Sequence, residues 1–399
     1  MEKAKLTFSG DIMLDNETID LYKSESNSYD FNAMFENIKN FMNESDLVVG
    51  NLETPITMDN NKIKCQQYRF TSPVEFAEAV KNAGFDLVST ANNHCLDNGI
   101  EGIQETVESL DKIGLENTGI SYGEEKLKLH NINGIKIAVL SYTYGTNAFS
   151  NNIYLKNSDK NTKVNLFQNQ ELSNYCIRKL YLSSNLIIRI IRKTFKILGL
   201  FQLKKPVYER NELSRKQKKE IINKIKEYKK MGADCVIMCM HEGGQYNKEP
   251  IKRTKRTVDF LIKSGVDLVI GNHEHVIHPI EYKNKKLISY SLGNFISTTG
   301  VTKEPFDKMA EYSILLNIYI SKNDGKIKYD KCTFTIVKSV NDYIEEKDSV
   351  KVKLLYDLIK ESTSIEEKQN LMKDNQKIVK LVTGKNIDLN DLEEEYVVF

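Results

Sequence analysis

Four of the six histidines in this chain, His94, His241, His273 and His275, end or closely follow apolar runs. The runs are FDLVSTANNH, CVIMCMH and VDLVIGNHEH, the last carrying two of the four. Two carboxylates are placed the same way, since KLTFSGD ends on Asp11 and DLVVGNLE ends on Glu53. A sixth run, LISYSLGN, delivers Asn294. One histidine after an apolar run is usually a cap or a packing residue, but so many donors delivered alike point to a shared metal site. Imidazoles mixed with carboxylates suit manganese, zinc or iron, whereas an all-oxygen cage suits calcium or magnesium. Two divalent ions bridged by a carboxylate such as Glu53 can activate one water and neutralise charge on a transferring phosphoryl group. The pKa of the water then falls to roughly 7, which makes hydroxide available at neutral pH. His273-Glu274-His275 has the most specific spacing, because residues two apart in an extended segment point the same way.

Each run is short, rich in β-formers and flanked by polar residues, so it reads as a buried strand. In an α/β sheet every such strand aims its following loop at one rim, where ligands bind. Between the strands, residues 31–43, 73–85 and 100–115 repeat apolar positions at three and four, the helical period. Pro73 opens its helix, and Gly84 and Gly114 close theirs. Hairpins are expected at Asn133-Gly134, before a strand at 135–142, and across Lys283-Asn284. The strand–helix alternation resumes over 212–290, and strands follow at 311–320 and 327–338. This order predicts α/β architecture with a mixed sheet or two packed sheets between outer helices.

Two segments interrupt the pattern. Residues 147–210 begin Asn-rich, then become basic and apolar, with eight Lys or Arg and no Asp or Glu between Leu172 and Tyr208. Ile187, Ile190, Ile191, Phe195 and Leu198 share one helical face there. Three roles are open to it: a lid over the rim, an interfacial amphipathic helix at an anionic membrane, or a helix packed on the core. Residues 340–399 are Lys/Glu-rich and helical in pattern. The chain therefore divides into one domain over 1–339, with 147–210 inserted, and a helical extension over 340–399.

The bulk numbers narrow the classes. In 399 residues, 57 Lys and Arg against 55 Asp and Glu leave a net charge of +2, which predicts no affinity for nucleic acid. The six cysteines form no CxxC pair, and Cys235 and Cys239 fall on one strand face as core thiols. Neither a signal-peptide core at MEKAKLTFSGD nor an apolar run of membrane-spanning length is present, so the sequence as written reads as cytoplasmic.

Six motifs in order carry a family resemblance: GDIML at 10–14, GNLETPI at 50–56, ANNHCLDNG at 91–99, HEGGQY at 241–246, GNHEHV at 271–276 and SLGNF at 291–295. The chain resembles the CapA (poly-γ-glutamate capsule synthesis) family, which is similar in turn to calcineurin-like metallophosphoesterases. The resemblance implies a metallophosphoesterase-like four-layer α/β/β/α sandwich, here with an inserted basic helical segment and a helical C-terminal tail. It implies metal ligation by Asp11, Glu53, Asn93, His241, His273 and His275, with Asn51 an alternative to Glu53 as the bridge. It implies that His94 protonates the leaving group or stabilises charge, and Asn92, Glu242 and Asn294 are expected to line the site. Met13 stands where the phosphoesterase Asp-x-His pattern has histidine, so one metal position loses a ligand. The chain has His-Glu-Gly at 241–243 where the family usually shows His-Trp-Gly, and no tryptophan at all. Most CapA-like proteins are exported or membrane-anchored, and the sequence carries no such signal.

The function implied is a metal-dependent hydrolase, using one or two divalent ions (Mn, Zn or Fe), acting on a phosphoester or related linkage in capsule or cell-envelope polymer metabolism. The alternative from another class is a non-catalytic accessory protein that binds poly-γ-glutamate or the synthesis machinery around a structural metal. The partners expected are an anionic polymer or phosphorylated substrate, with peripheral contact to an anionic membrane. A cysteine nucleophile at Cys95 is disfavoured, because adjacent side chains such as His94 and Cys95 rarely face each other. The glycines of GGQ at 243–245 lack the context of a phosphate loop and read as a close backbone approach to the site.

Overall fold

The computed structural model describes residues 2–399 apart from 27, 64–68, 126, 157, 169, 171–184, 198–212, 214, 297–307 and 345–346. Two sheets dominate it. The first runs in the order Lys347–Leu354, Lys326–Ile344, Tyr312–Asn323, Glu2–Ile12, Leu47–Leu52, Leu87–Ser89, Glu116–Thr118. It is parallel from Glu2–Ile12 onward and antiparallel on the other side. The second runs in the order Ile280–Lys283, Lys286–Ser289, Leu268–Asn272, Cys235–His241, Ile135–Thr143, His130–Ile132, with hairpins at both edges. The first hairpin turns where expected, with positive φ at Asn133 and Gly134, and the second turns one residue later than expected, with positive φ at Asn284 and Lys285, the backbone that a type I′ turn demands.

Alternation along each strand assigns the layers. Leu47 and Val49 join Ile137, Val139, Ile237, Cys239 and Ile270 in a core between the sheets. Val48 and Val88 turn to the outer face of the first sheet, against Phe76 and Val80 of the helix Val74–Asn82. Ala138, Leu140, Val236 and Met238 turn the other way, against Ile221 and Ile225 of Arg215–Lys230 and Leu261 of Lys252–Lys263. The order is helix, sheet, sheet, helix, the four-layer sandwich expected. Cys235 and Cys239 are free thiols in its middle; Cys65 and Cys176 lie outside the described residues.

Three boundaries differ from the sequence reading. The division at 339/340 cuts the strand Lys326–Ile344, and Lys347–Leu354 extends the same sheet. The last 60 residues are helical only in part: Ile365–Thr383 packs Leu371 and Ile378 into the cluster that holds Phe334, and Tyr396–Val397 pairs with Thr333 and Phe334. The proposed tail is thus built into the sheet, because polar Lys/Glu spacing reports an exposed face and says nothing of strand pairing. The segment 147–210 also starts later than expected. Thr162–Val164 pairs with Ile120–Tyr122, and Phe167 is buried among the outer helices of the second sheet. Farther along, Leu186–Ile197 is a helix whose Leu186, Ile187, Ile190 and Ile191 are exposed, so the core-packing role falls away. Leu198 lies outside the described residues. Among the described residues no helix is long and apolar enough to cross a membrane.

Candidate metal centre

The donors converge because parallel strands of both sheets end at one level. In the first sheet, Asn294, Asp11, Asn51 and Ser89 are register partners in turn. In the second, Thr143, His241 and Asn272 form the matching row. LISYSLGN is not one strand. Lys286–Ser289 belongs to the second sheet, and the chain then crosses so that Asn294 opens a strand beside Asp11 in the first. Gly10 permits this approach: a Cβ there would lie 2.0 Å from the Gly293 carbonyl oxygen.

Two buried groups of donor atoms result, Glu53–His241–His273 and Asp11–Glu53–His275, each with its atoms within 4.8 Å of one another. Glu53 belongs to both, which is the geometry of a bridging carboxylate. Asn93 joins the first group, its side-chain oxygen 2.7 Å from His241 Nε2. Asn51 braces the second group, its Nδ2 donating to Asp11 Oδ1 at 2.7 Å.

His273 and His275 do not reach the rim by extended alternation. The strand stops at Asn272, and both histidines adopt left-handed backbone, φ 98° and 60°. Such φ values are costly for non-glycine residues and persist only when neighbours fix them. Here the His273 backbone N–H donates to Asp11 Oδ2 at 3.2 Å, and His275 Nδ1 lies 2.9 Å from Asn294 Oδ1. The turn sends the two rings to different groups rather than to one face.

Around the donors stands a second tier. Asn92 Nδ2 donates to the Leu52 carbonyl at 2.7 Å, and its oxygen accepts from the His94 backbone. His94 belongs to neither donor group. Its Nδ1 lies 2.7 Å from the Asp97 carboxylate, and Phe70 meets its ring edge-on at 4.5 Å. Asp97 also accepts from the Phe70 backbone and from Asn151 Nδ2. Asp97 went unread in the sequence, although His-x-x-Asp in ANNHCLDNG was its available signal. Glu242, expected to line the site, is tied to a neighbouring helix. It accepts from Arg253 Nε at 2.9 Å and from the Thr257 hydroxyl at 3.1 Å, both carried by the helix Lys252–Lys263. Gly243 makes the close approach expected of GGQ: a Cβ would stand 2.1 Å from Glu274 Oε1, and the Gly244 N–H donates to the same carboxylate at 2.8 Å.

Burial sets the electrostatics. Burial and the Glu53 charge raise the Asp11 carboxyl above its ordinary value. Burial also acts to raise Glu53, but His241 and His275 outweigh it and hold that carboxyl well below the usual range. Burial and the neighbouring imidazoles His241 and His275 keep His273 neutral by pushing it well down. Burial opposes a charge on His94, yet Asp97 overrides it and raises the ring. Burial drives the Cys95 thiol up to about 12, which removes it as a nucleophile at neutral pH. His273 Nδ1 and Asn51 Oδ1 are buried without a hydrogen-bond partner among the described residues. Orphaned donor atoms among imidazoles and carboxylates fit a divalent ion.

A family model described as bacterial capsule synthesis protein PGA_cap matches residues 5–299, a stretch containing every candidate from Asp11 to Asn294. Capsule biosynthesis protein CapA of Bacillus anthracis is 25% identical over 320 residues, covering 78% of this chain and 64% of that protein. The chain thus spans just under two thirds of that relative's length. PGA biosynthesis protein CapA of Bacillus subtilis (strain 168) is 25% identical over 363 residues, covering 89% of this chain and 78% of that one. Among solved structures, the calcineurin-like phosphoesterase YfkN from Bacillus subtilis is similar over 94% of this chain and 97% of that chain, at 12% identity and a TM-score of 0.41.

Proposed function

The chain belongs to the bacterial capsule synthesis protein PGA_cap family, and from that premise we propose that it is a metal-dependent hydrolase of a phosphoester or related linkage in capsule or cell-envelope polymer metabolism. The observation that carries this reading is His94, held by Asp97 beside the donor groups and belonging to neither. A structural metal needs its ligands and has no use for an oriented imidazole next to them.

Glu53, His241 and His273, with Asn93 beside them, would hold one ion, and Asp11, Glu53 and His275 a second. Met13 stands where the phosphoesterase pattern supplies histidine, so the second position is the weaker. A divalent ion there supplies Lewis acidity toward a phosphoryl oxygen and lowers the pKa of attacking water. His94 does the rest of the proton work. Its Nδ1 is committed to Asp97, so delivery to a leaving oxygen falls to Nε2. The Asp97 carboxylate outweighs burial and shifts the ring toward its protonated form, the form an acid requires. At 6% exposure His94 is also the most accessible of the candidates, whereas Asp11 and Glu53 stand at 0%.

The burial of every candidate donor favours a second reading, a family accessory protein that binds an acidic polymer such as poly-γ-glutamate, or the synthesis machinery, around a structural metal. Elemental analysis after reconstitution with manganese or zinc, followed by a phosphomonoester and phosphodiester panel, separates them. Bound metal with turnover supports the hydrolase. Bound metal without turnover on any phosphoester moves the assignment to the accessory reading. Absence of any transition metal after reconstitution sinks both.

A further inference from the structure

The helix Leu186–Ile197, LIIRIIRKTFKI, carries four basic residues and no acidic one. At about 100° per residue, its basic positions 189, 192, 193 and 196 fall within one arc of about 100°, and the aliphatic and aromatic positions occupy about 200° of the remainder. Leu186 and Ile187 are each 67% exposed, Ile190 56% and Ile191 41%. Four of the ten large apolar residues exposed among the described residues thus lie on one twelve-residue helix. The helix does not depend on packing for its start: Asn185 Oδ1 accepts from the Ile187 N–H at 2.9 Å and the Ile188 N–H at 3.4 Å, an N-cap. Thr194, the one neutral polar residue, returns its hydroxyl to the Ile190 carbonyl at 3.0 Å.

Both halves of this surface must be accounted for. An acidic polymer would pair with the basic arc and leave the isoleucines in water. A protein groove would cover the isoleucines, but nothing in it calls for a polar face that is entirely cationic. An anionic bilayer uses both, with acyl chains against the apolar arc and headgroup charge against the basic arc. We propose that Leu186–Ile197 lies in the interface of an anionic phospholipid membrane and holds the sandwich there as a peripheral protein. At about 1.5 Å per residue the helix spans about 18 Å, enough to lie in the interface plane and too short to cross the bilayer.

The test is flotation of the full chain with phosphatidylcholine vesicles and with mixed phosphatidylcholine–phosphatidylglycerol vesicles, across a salt series. Binding is expected on the mixed vesicles alone, falling as salt rises. Arg189→Gln with Lys193→Gln should weaken it about thirtyfold at low salt, about fivefold per charge. Ile187→Ser with Ile190→Ser should weaken it about tenfold or more per residue, with melting temperature and metal content unchanged from the parent chain. Failure to bind mixed vesicles at low salt overturns the proposal. So does equal binding of neutral vesicles, or charge-dependent capture of soluble polyglutamate in place of vesicles. Self-association that the isoleucine variants abolish, without vesicle binding, would assign the face to a second copy of the chain instead.

Discussion

The rim of the sandwich and the helix Leu186–Ile197 reverse the ordinary placing of side chains in opposite senses. At the rim, Asp11, Glu53, His241, His273 and His275 are buried, some with polar atoms left unpartnered. On the helix, Leu186, Ile187, Ile190 and Ile191 stand in water. Each costs free energy, since an unsatisfied buried polar group costs about 1–3 kcal/mol and each exposed aliphatic forgoes about 1.5–3 kcal/mol of burial. The comparison teaches where to look for a ligand. The rim is complementary to something small, charged and inside; the helix is complementary to something large, apolar and outside.

The largest expected effect breaks the rim. Glu53→Gln removes one carboxylate from both donor groups, so the variant should come out of manganese or zinc reconstitution essentially metal-free. Full metal content by elemental analysis would show that the groups do not share Glu53. Next comes the separation of acid from ligands. His94→Ala should keep its metal and lose about a hundred- to ten-thousand-fold in turnover, while Asp97→Asn, acting through ring orientation, should lose about ten- to a hundredfold. Metal loss in His94→Ala equal to that in His273→Ala would make His94 a ligand. A smaller effect sharpens the picture of the rim as a closed fit. Gly243→Ala places a methyl against the Glu274 carboxyl and should lower stability by about 1–3 kcal/mol in chemical denaturation. Smallest of all is Ile190→Ser on the helix, expected within about 0.5 kcal/mol of the parent because the side chain is already solvated. A cost of about 2–5 kcal/mol, as for a buried isoleucine, would place Ile190 against the core and end the contrast.

Much of the centre was legible. Asp11, Glu53, His94, His241, His273 and His275 were marked by the apolar runs that deliver them, since a strand's period and end are local properties. The helical spacing of Ile187, Ile190 and Ile191 was legible for the same reason. Illegible were contacts between distant segments. Asn151 on Asp97 and Asn147 on Asn93 each join residues 54 apart, and no periodicity reports such a meeting. The strand Lys347–Leu354 hid in the same way, because alternation in a charged strand resembles a solvated helix face.

The sequence by itself determined which side chains end the strands, which residues turn the hairpins, and that one helix carries an aliphatic face opposite a cationic one. Only the tertiary structure decided how the donors divide. His273 and His275, two apart in the chain, part into different groups because Asp11 and Asn294 hold the turn in left-handed backbone. It also decided that the aliphatic face of Leu186–Ile197 stays in water. Local pattern fixes which way residues point along one element; what they point at depends on elements brought together from hundreds of residues away.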